Sequence, residues 1–372
     1  MTKRVYILTL PLGGNYGGIM QAYALQQTLT LLGYDPVTMD ISYSRFRPLW
    51  KRVRSFVYYS LMRFSLNANK TTRVVQQHTR RFIQQHIART EPLGSTKQLQ
   101  TFYRKHPAHA YIVGSDQVWR SSYVPPLDEY FLQFIPEEDT VRRIAYGASF
   151  GVSPIDIPVS KIPWCTQLLQ RFDAVSAREQ SAIEVLQQKF NCDAQWVLDP
   201  TMLLTREEYI TRLDLNREPS GEIFAYMLDY TPDKEKFVRR LAQSHKSKYQ
   251  LCNPSRIWST PGVPAKECIM PPVERWLEGI LRAETVVTDS FHGIVFSLIF
   301  GCPFIGIINK SRGSDRFQTL IDCFGLKTYE EDGFQIVTLP EDTSHIINTI
   351  ERYRTNSISF LENALIQRRI DI

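Results

Sequence analysis

The chain has 372 residues, of which 43% are hydrophobic and 22% charged. That is too long for one ordinary core and too apolar for intrinsic disorder, so two soluble globular domains are expected. The formal net charge is +6. The most apolar stretch, from Gly293 to Ile308, is interrupted by Pro303 and is too short to cross a bilayer.

The sequence MTKRVYILTL opens with a strand pattern and lacks the three-part layout of a secretory signal. Arg4 to Leu10 reads as a buried strand, followed by the loop Gly13-Gly14-Asn15-Tyr16-Gly17-Gly18 and a helix from Ile19 to Leu32 that Gly33 closes. Asp35 to Asp40 is the next strand. Residues 41–90 then hold eleven Lys and Arg and no Asp or Glu, so this one segment makes the whole protein basic. Aromatics such as Phe46, Trp50, Tyr58 and Phe64 are interleaved with the charges. The pattern suits a helical insertion over residues 41–105. Its surface either is plainly solvated or contacts anionic membrane through residues 45–82. Phosphates of nucleic acid would attract such a segment too, but no nucleic acid is expected.

Further strands are predicted at Ala110 to Val113, Arg142 to Ala148, Ala174 to Ala177 and Trp196 to Leu198. A helix fills the stretch from Arg178-Glu179 to Phe190. A charged helix over Arg206 to Leu213 leads to Pro219-Ser220-Gly221, and the strand–helix alternation then restarts. It runs through Ile223 to Leu228, Lys234 to His245, Tyr249 to Asn253, Thr285 to Thr288, a helix from His292, and Phe304 to Ile308. His345 to Arg369 reads as a long helix or helix pair. Strands alternating with helices predict parallel sheets covered on both faces. The expected fold class is α/β, with two Rossmann-like domains facing a cleft: residues 1–205, residues 206–344, and a C-terminal helix over 345–372 that packs back on the first domain.

Six cysteines at wide intervals, with no CxxC pair, argue for core thiols in a reducing compartment rather than disulfides or zinc. The seven histidines lack any ligand spacing. No metal and no cofactor is expected, and the localisation is read as cytoplasmic, at most at the inner face of the cell membrane.

In parallel sheets ligands gather at the carboxyl ends of strands. The first such place is the glycine loop, with Asn15, Tyr16, Gly17, Gly18 and Gln21: either a tight turn or a ligand loop at a helix N-terminus. The second is Gly114-Ser115-Asp116-Gln117, where Asp116 is either a helix cap or a base for a sugar hydroxyl. The third, Arg178 after Ala174 to Ala177, is either an anion clamp or half of an ion pair with Glu179 or Asp173. The fourth is Thr288-Asp289-Ser290-Phe291-His292-Gly293. His292 there is either structural or a proton donor near neutral pH. Lys310, Arg312 and Arg316 follow the next strand and could hold a small anion.

Taken in order, GGNYGGIMQAYALQ, GSDQVW, YGASFG, SAREQ, VLDPT and TDSFHGIVFSLIFGCPFI resemble the polysaccharide pyruvyl transferase family, over residues 13 to about 317. The resemblance implies a GT-B-like fold and the transfer of pyruvate from phosphoenolpyruvate to two hydroxyls of a sugar, giving a cyclic ketal and phosphate. Phosphoenolpyruvate is then a co-substrate, and the acceptor is a saccharide, free or lipid-linked, in exopolysaccharide or capsule biosynthesis. His292 matches the family's histidine, the expected acid, and Arg178 a family arginine implicated in donor binding. Asp116 is the candidate base. Asn15, Tyr16, Gly17, Gly18, Gln21, Gln117 and Ser149 are placed on the acceptor side or its loops.

There is one departure. Better known members carry Arg-Leu where this chain has Ser290-Phe291, which leaves Lys310, Arg312 or Arg316 to supply the missing charge. Two rivals stay open: a glycosyltransferase using a nucleotide sugar, and a non-catalytic glycan-binding member.

Overall fold

A computed structural model describes residues 3–42, 68–124, 126–253, 263–309, 313 and 315–366. The chain divides into two compact units. The first comprises residues 1–70, 83–203 and 352–372, and the second residues 71–82 and 204–351. Most of the basic aromatic segment, residues 43–67, lies outside the described residues, and with it most of the expected membrane contact. Lys310 and Arg312 lie outside them as well.

In the first unit six strands form one sheet: β1 (Lys3–Leu8), β2 (Tyr34–Thr38), β3 (Ala110–Val113), β4 (Arg142–Ala148), β5 (Ala174–Ala177) and β6 (Gln195–Trp196). Their order is β2-β1-β3-β4-β5-β6, all neighbours running parallel. The strands are nearly continuous apolar runs because both faces are covered. Alternate residues divide cleanly between the faces. Tyr6, Leu8, Tyr111 and Val113 pack on one side with Trp119, Phe131 and Phe150. Val5, Ile7, Ala110 and Ile112 pack on the other with Phe360, Leu361 and Leu365.

Phe360, Leu361 and Leu365 belong to a single helix, Ser344–Ile366. From residue 352 on it is part of the first unit. Ser357 Oγ accepts from Leu198 N at 3.0 Å, and Arg354 Nε donates to Met202 O at 2.8 Å.

The helix after β1 spans Tyr16–Leu31 and starts earlier than its periodicity indicates. Gly17 and Gly18 therefore form its first turn rather than a loop. Glycine costs up to about 1 kcal/mol in a helix interior. Here burial of Tyr16, Ile19 and Met20 outweighs that cost.

The second unit holds β7 (Ile223–Tyr226), β8 (Tyr249–Leu251), β9 (Thr285–Thr288), β10 (Phe304–Ile307), β11 (Lys327–Glu331) and β12 (Phe334–Thr338), in the order β11-β12-β10-β9-β7-β8. Neighbours from β8 to β10 are parallel, and β12 pairs antiparallel with both β10 and β11. Side chains make the helix starts. Thr205 and Glu208 form a capping box for Arg206–Leu213, and Thr231 caps Pro232–Ser244. One face of the sheet carries Ile223, Ala225, Val287 and Ile307 against Phe237 and Val238. The other carries Tyr226 against Trp276, whose ring meets Phe296 at 5.2 Å.

Among the described residues no helix is long and apolar enough to cross a membrane. The six cysteines are free thiols, five of them buried. Burial raises Cys252 and Cys302 to about 12, so these are inert core groups.

Candidate functional site

Each sheet has a topological switch point, where chain connections leave a central strand in opposite directions and loops part to leave a crevice. In the first unit it lies between β1 and β3, and in the second between β7 and β9. The glycine turn and the Asp116 loop lie at the first point and the histidine turn at the second, while Arg178 follows β5, two strands beyond β3.

At the first switch point Gln21 ties three segments together. Its Nε2 donates to Thr9 Oγ1 at 2.9 Å and to Gly18 O at 3.0 Å, and its Oε1 accepts from Ser115 N at 3.1 Å. The loop after β1, the first helix and the loop after β3 are thereby locked. Gly114 has φ +128°, and a Cβ there would lie 2.1 Å from Tyr146 O, so only glycine fits. Asp116 follows at φ 71°. Its Oδ1 accepts from Arg178 Nη2 at 2.9 Å. Gln117 Oε1 accepts from Arg120 Nη1 at 2.8 Å, and Ser149 Oγ donates to Glu179 Oε1 at 2.6 Å. Asn15 is exposed and Tyr16 is buried in the core.

Arg178 stands at the end of β5 among three carboxylates. Nη2 meets Asp116, Nη1 meets Asp199 at 2.6 Å, and Nε meets Glu179 at 3.4 Å. Its side chain is 1% exposed. Burial pulls the guanidinium down, but Asp116, Asp199 and Glu179 together hold it above its ordinary value. The expected ion pair with Glu179 is present; Asp173 instead accepts from the Arg143 backbone N–H. Asp199, in the VLDPT string, is a member of this cluster that sequence reasoning missed as a site residue. Its signal was its place after the strand expected over Trp196 to Leu198, which the structure confines to Gln195–Trp196.

At the second switch point Ser290 Oγ accepts from Gly293 N at 3.3 Å and so caps the helix Phe291–Phe300. This supplies the local role of the serine. Gly293 lets that helix begin against β9: a Cβ there would lie 2.5 Å from Thr288 Oγ1. His292 lies in the first turn, 5% exposed, with its ring 5.1 Å from that of Phe291. Arg316, from the helix Asp315–Phe324, lies over the Phe291 ring at 5.3 Å.

The neighbouring Asp289 was read only as part of a motif. It accepts from Leu228 N at 2.5 Å, Asp229 N at 3.0 Å and Lys234 Nζ at 2.6 Å. Lys234 also donates to Asp229 O, and Asn309 Nδ2 donates to Asp229 Oδ2. Lys234 and Asp229 went unnoticed in the sequence because they sit far from Asp289 along the chain. The result is a rigid floor under the histidine turn. Among the described residues, no three His, Cys, Asp or Glu side chains are gathered as a metal ion would require.

Several solved structures resemble the chain. A putative UDP-N-acetylglucosamine 2-epimerase from Listeria monocytogenes aligns at 10% identity and TM-score 0.49, over 99% of this chain and 92% of that one. The UDP-GlcNAc 2-epimerase of Methanocaldococcus jannaschii aligns at 10% and 0.48, over 99% and 94%. Arabidopsis thaliana UGT89C1, complexed with UDP-L-rhamnose, aligns at 11% and 0.48, over 98% and 97%. No curated relative matches the sequence. The family model for polysaccharide pyruvyl transferase matches residues 15–311, which include Asp116, Arg178, Asp199, Asp289 and His292. The chain, a pair of Rossmann-like α/β units, belongs to the polysaccharide pyruvyl transferase family.

Proposed function

We propose that the protein transfers pyruvate from phosphoenolpyruvate to two hydroxyls of a saccharide, forming a cyclic ketal and releasing phosphate. The observation that carries this reading is the histidine turn after β9. His292, within the family-matched residues 15–311, is held in the first turn of a buried helix, and the guanidinium of Arg316, just beyond those residues, lies against the adjoining Phe291.

The reaction needs a proton delivered to the methylene carbon of the donor, and a histidine can deliver it near neutral pH. The enol carbon then becomes oxocarbenium-like and one sugar hydroxyl adds to it. The second hydroxyl displaces phosphate. Of the two hydroxyl protons, one replaces that given by the acid and the other leaves with phosphate. Asp116 is assigned to take a hydroxyl proton.

The donor carries a carboxylate and a phosphate, so it needs cations. The motif's own arginine is replaced by Ser290, and Arg316 brings a guanidinium back to the same turn. A planar fork suits either donor group. The acceptor is a saccharide precursor, free or lipid-linked.

Calorimetric titration of phosphoenolpyruvate into the wild-type protein and Arg316→Ala tests the reading. Binding to the wild type that weakens tenfold or more in the variant is the expected result. Binding of UDP with none of phosphoenolpyruvate would replace it with the nucleotide-sugar reading.

A further inference from the structure

At the end opposite the histidine turn, the second sheet carries a cavity that the proposed reaction does not use. β7 runs parallel to β9, with Ile223 level with Thr285 and Tyr226 level with Thr288. The histidine turn follows Thr288, whereas the cavity, of about 370 Å³, opens where β7 begins and is walled by β7, β8 and the helix Val273–Arg282. That volume falls in the range of small-molecule sites.

Its floor is apolar and its walls are charged. Phe224 lies under the helix, where Gly279 gives it room: a Cβ there would come within 2.0 Å of the Phe224 ring. Around this floor stand Glu222, Gln250, Arg275, Glu278 and Arg282. The last three are spaced three and four residues apart on one helix, the spacing at which opposite charges pair. Here they do not pair. Glu278 Oε1 accepts from Asn216 N at 3.0 Å, and Arg282 Nε donates to Glu218 O at 2.6 Å. Among the described residues, the Glu222 carboxylate, the Gln250 amide and the Arg275 guanidinium make no hydrogen bond or ion pair.

The walls select the ligand. Two arginines and two glutamates sum to zero formal charge, which favours neither a phosphate nor a cation. What they offer instead is donors and acceptors side by side on planar groups: carboxylates accept, guanidinium groups donate, and the Gln250 amide does both. Adjacent hydroxyls, each a donor and an acceptor at once, match that arrangement.

We propose that this cavity is a second saccharide site, taking a pyranose unit through its adjacent hydroxyls. It rests on the reading that the acceptor is a saccharide, and it adds a contact with a sugar unit other than the one that receives pyruvate. The two ends of β7 are three residue steps, about 10 Å, apart, longer than one pyranose ring. A site of this kind holds a long acceptor on the protein while another of its units reacts.

The test is NMR of the full chain carrying 13C-labelled arginine, followed at Cζ, with the methyl glycosides of glucose, galactose and mannose as probes. Between them these present adjacent hydroxyls in both equatorial–equatorial and axial–equatorial arrangements. The Arg275 and Arg282 signals are assigned from those missing in Arg275→Lys and Arg282→Lys. At least one glycoside is expected to shift both signals in the wild type. Arg275→Ala should weaken that glycoside about tenfold, and Gln250→Ala, which removes a neutral partner, about threefold. Phosphoenolpyruvate affinity of Arg275→Ala should match the wild type.

Signals moved by glycine or phosphoenolpyruvate and by none of the glycosides would make the cavity a zwitterion or anion site and overturn the proposal. So would the absence of any shift, or a glycoside whose affinity neither alanine variant changes. A wild type that binds no phosphoenolpyruvate would sink pyruvyl transfer alone, and the arginine shifts would still decide this cavity.

Discussion

The ion pair between Asp289 and Lys234 lends itself to a double-mutant cycle. The Asp289 side chain is fully buried and that of Lys234 is 10% exposed, with Nζ and Oδ2 2.6 Å apart. Asp289→Ala removes the acceptor for Leu228 N, Asp229 N and Lys234 Nζ at once. Breaking a buried pair by deleting one partner costs about 3–5 kcal/mol, and we expect about 4 here. Lys234→Met should cost about 3 kcal/mol, since Asp289 keeps two backbone N–H donors.

Were the sites independent, the double variant would lose roughly 7 kcal/mol. With the pair intact in the wild type, removing both charges leaves neither stranded, and the loss should be about 5, a coupling near 2 kcal/mol. Hydrogen–deuterium exchange of the amides in β7 and in the helix Phe291–Phe300 reads the opening of the second unit separately from the first. Asp289→Ala should speed exchange there by roughly a thousandfold. Additivity within about 0.5 kcal/mol would refute the claim that this pair anchors the histidine turn.

Two other substitutions probe the units separately. Gly293→Ala pushes a methyl into Thr288 Oγ1 and Cγ2, both under 3 Å from its ideal position. It should destabilise the second unit by about 1–3 kcal/mol, and phosphoenolpyruvate affinity should drop with it as the His292 turn moves; unchanged affinity would detach this turn from the donor. In the first unit, burial raises the Glu129 carboxyl, against the partial relief of a hydrogen bond from Thr96. A carboxyl whose folded value is raised stabilises the fold below its unfolded value, and that contribution is lost as pH rises through the folded one. Glu129→Gln should therefore gain urea resistance over the wild type at pH 7 and lose that advantage at pH 4, and the opposite slope would contradict the assignment.

The strand ends were legible in the sequence, because buried parallel strands are short apolar runs stopped by polar residues. Ala110 to Val113, Arg142 to Ala148, Ala174 to Ala177 and Thr285 to Thr288 are found where periodicity puts them. What failed was local propensity overruled by burial, as at Gly17 and Gly18, and one turn signal left unread. Asp332-Gly333 lies between β11 and β12 with φ of 51° and 75°. Positive φ at both central residues is what an Asp-Gly hairpin turn supplies. The candidate site was legible as positions but not as partners. Arg178 finds Asp116 across 62 residues and Asp199 across 21. No periodicity reveals such pairings, although β3, β5 and β6 all end on the same side of one sheet.

The two sheets begin with the same strand order, and the third strand of each, β3 and β9, is followed by an aspartate at its switch point. These two carboxylates are held differently, and the difference separates their roles. Asp289 accepts from two backbone amides and an ammonium. These three bonds tie the loop that carries His292 to the loop after β7 and to Lys234. Asp116 is held by a guanidinium that two further carboxylates share. A guanidinium divided in this way fixes the orientation of each carboxylate it meets. The proposed reaction assigns the first unit's proton transfer to Asp116 and the second's to His292, three residues beyond Asp289.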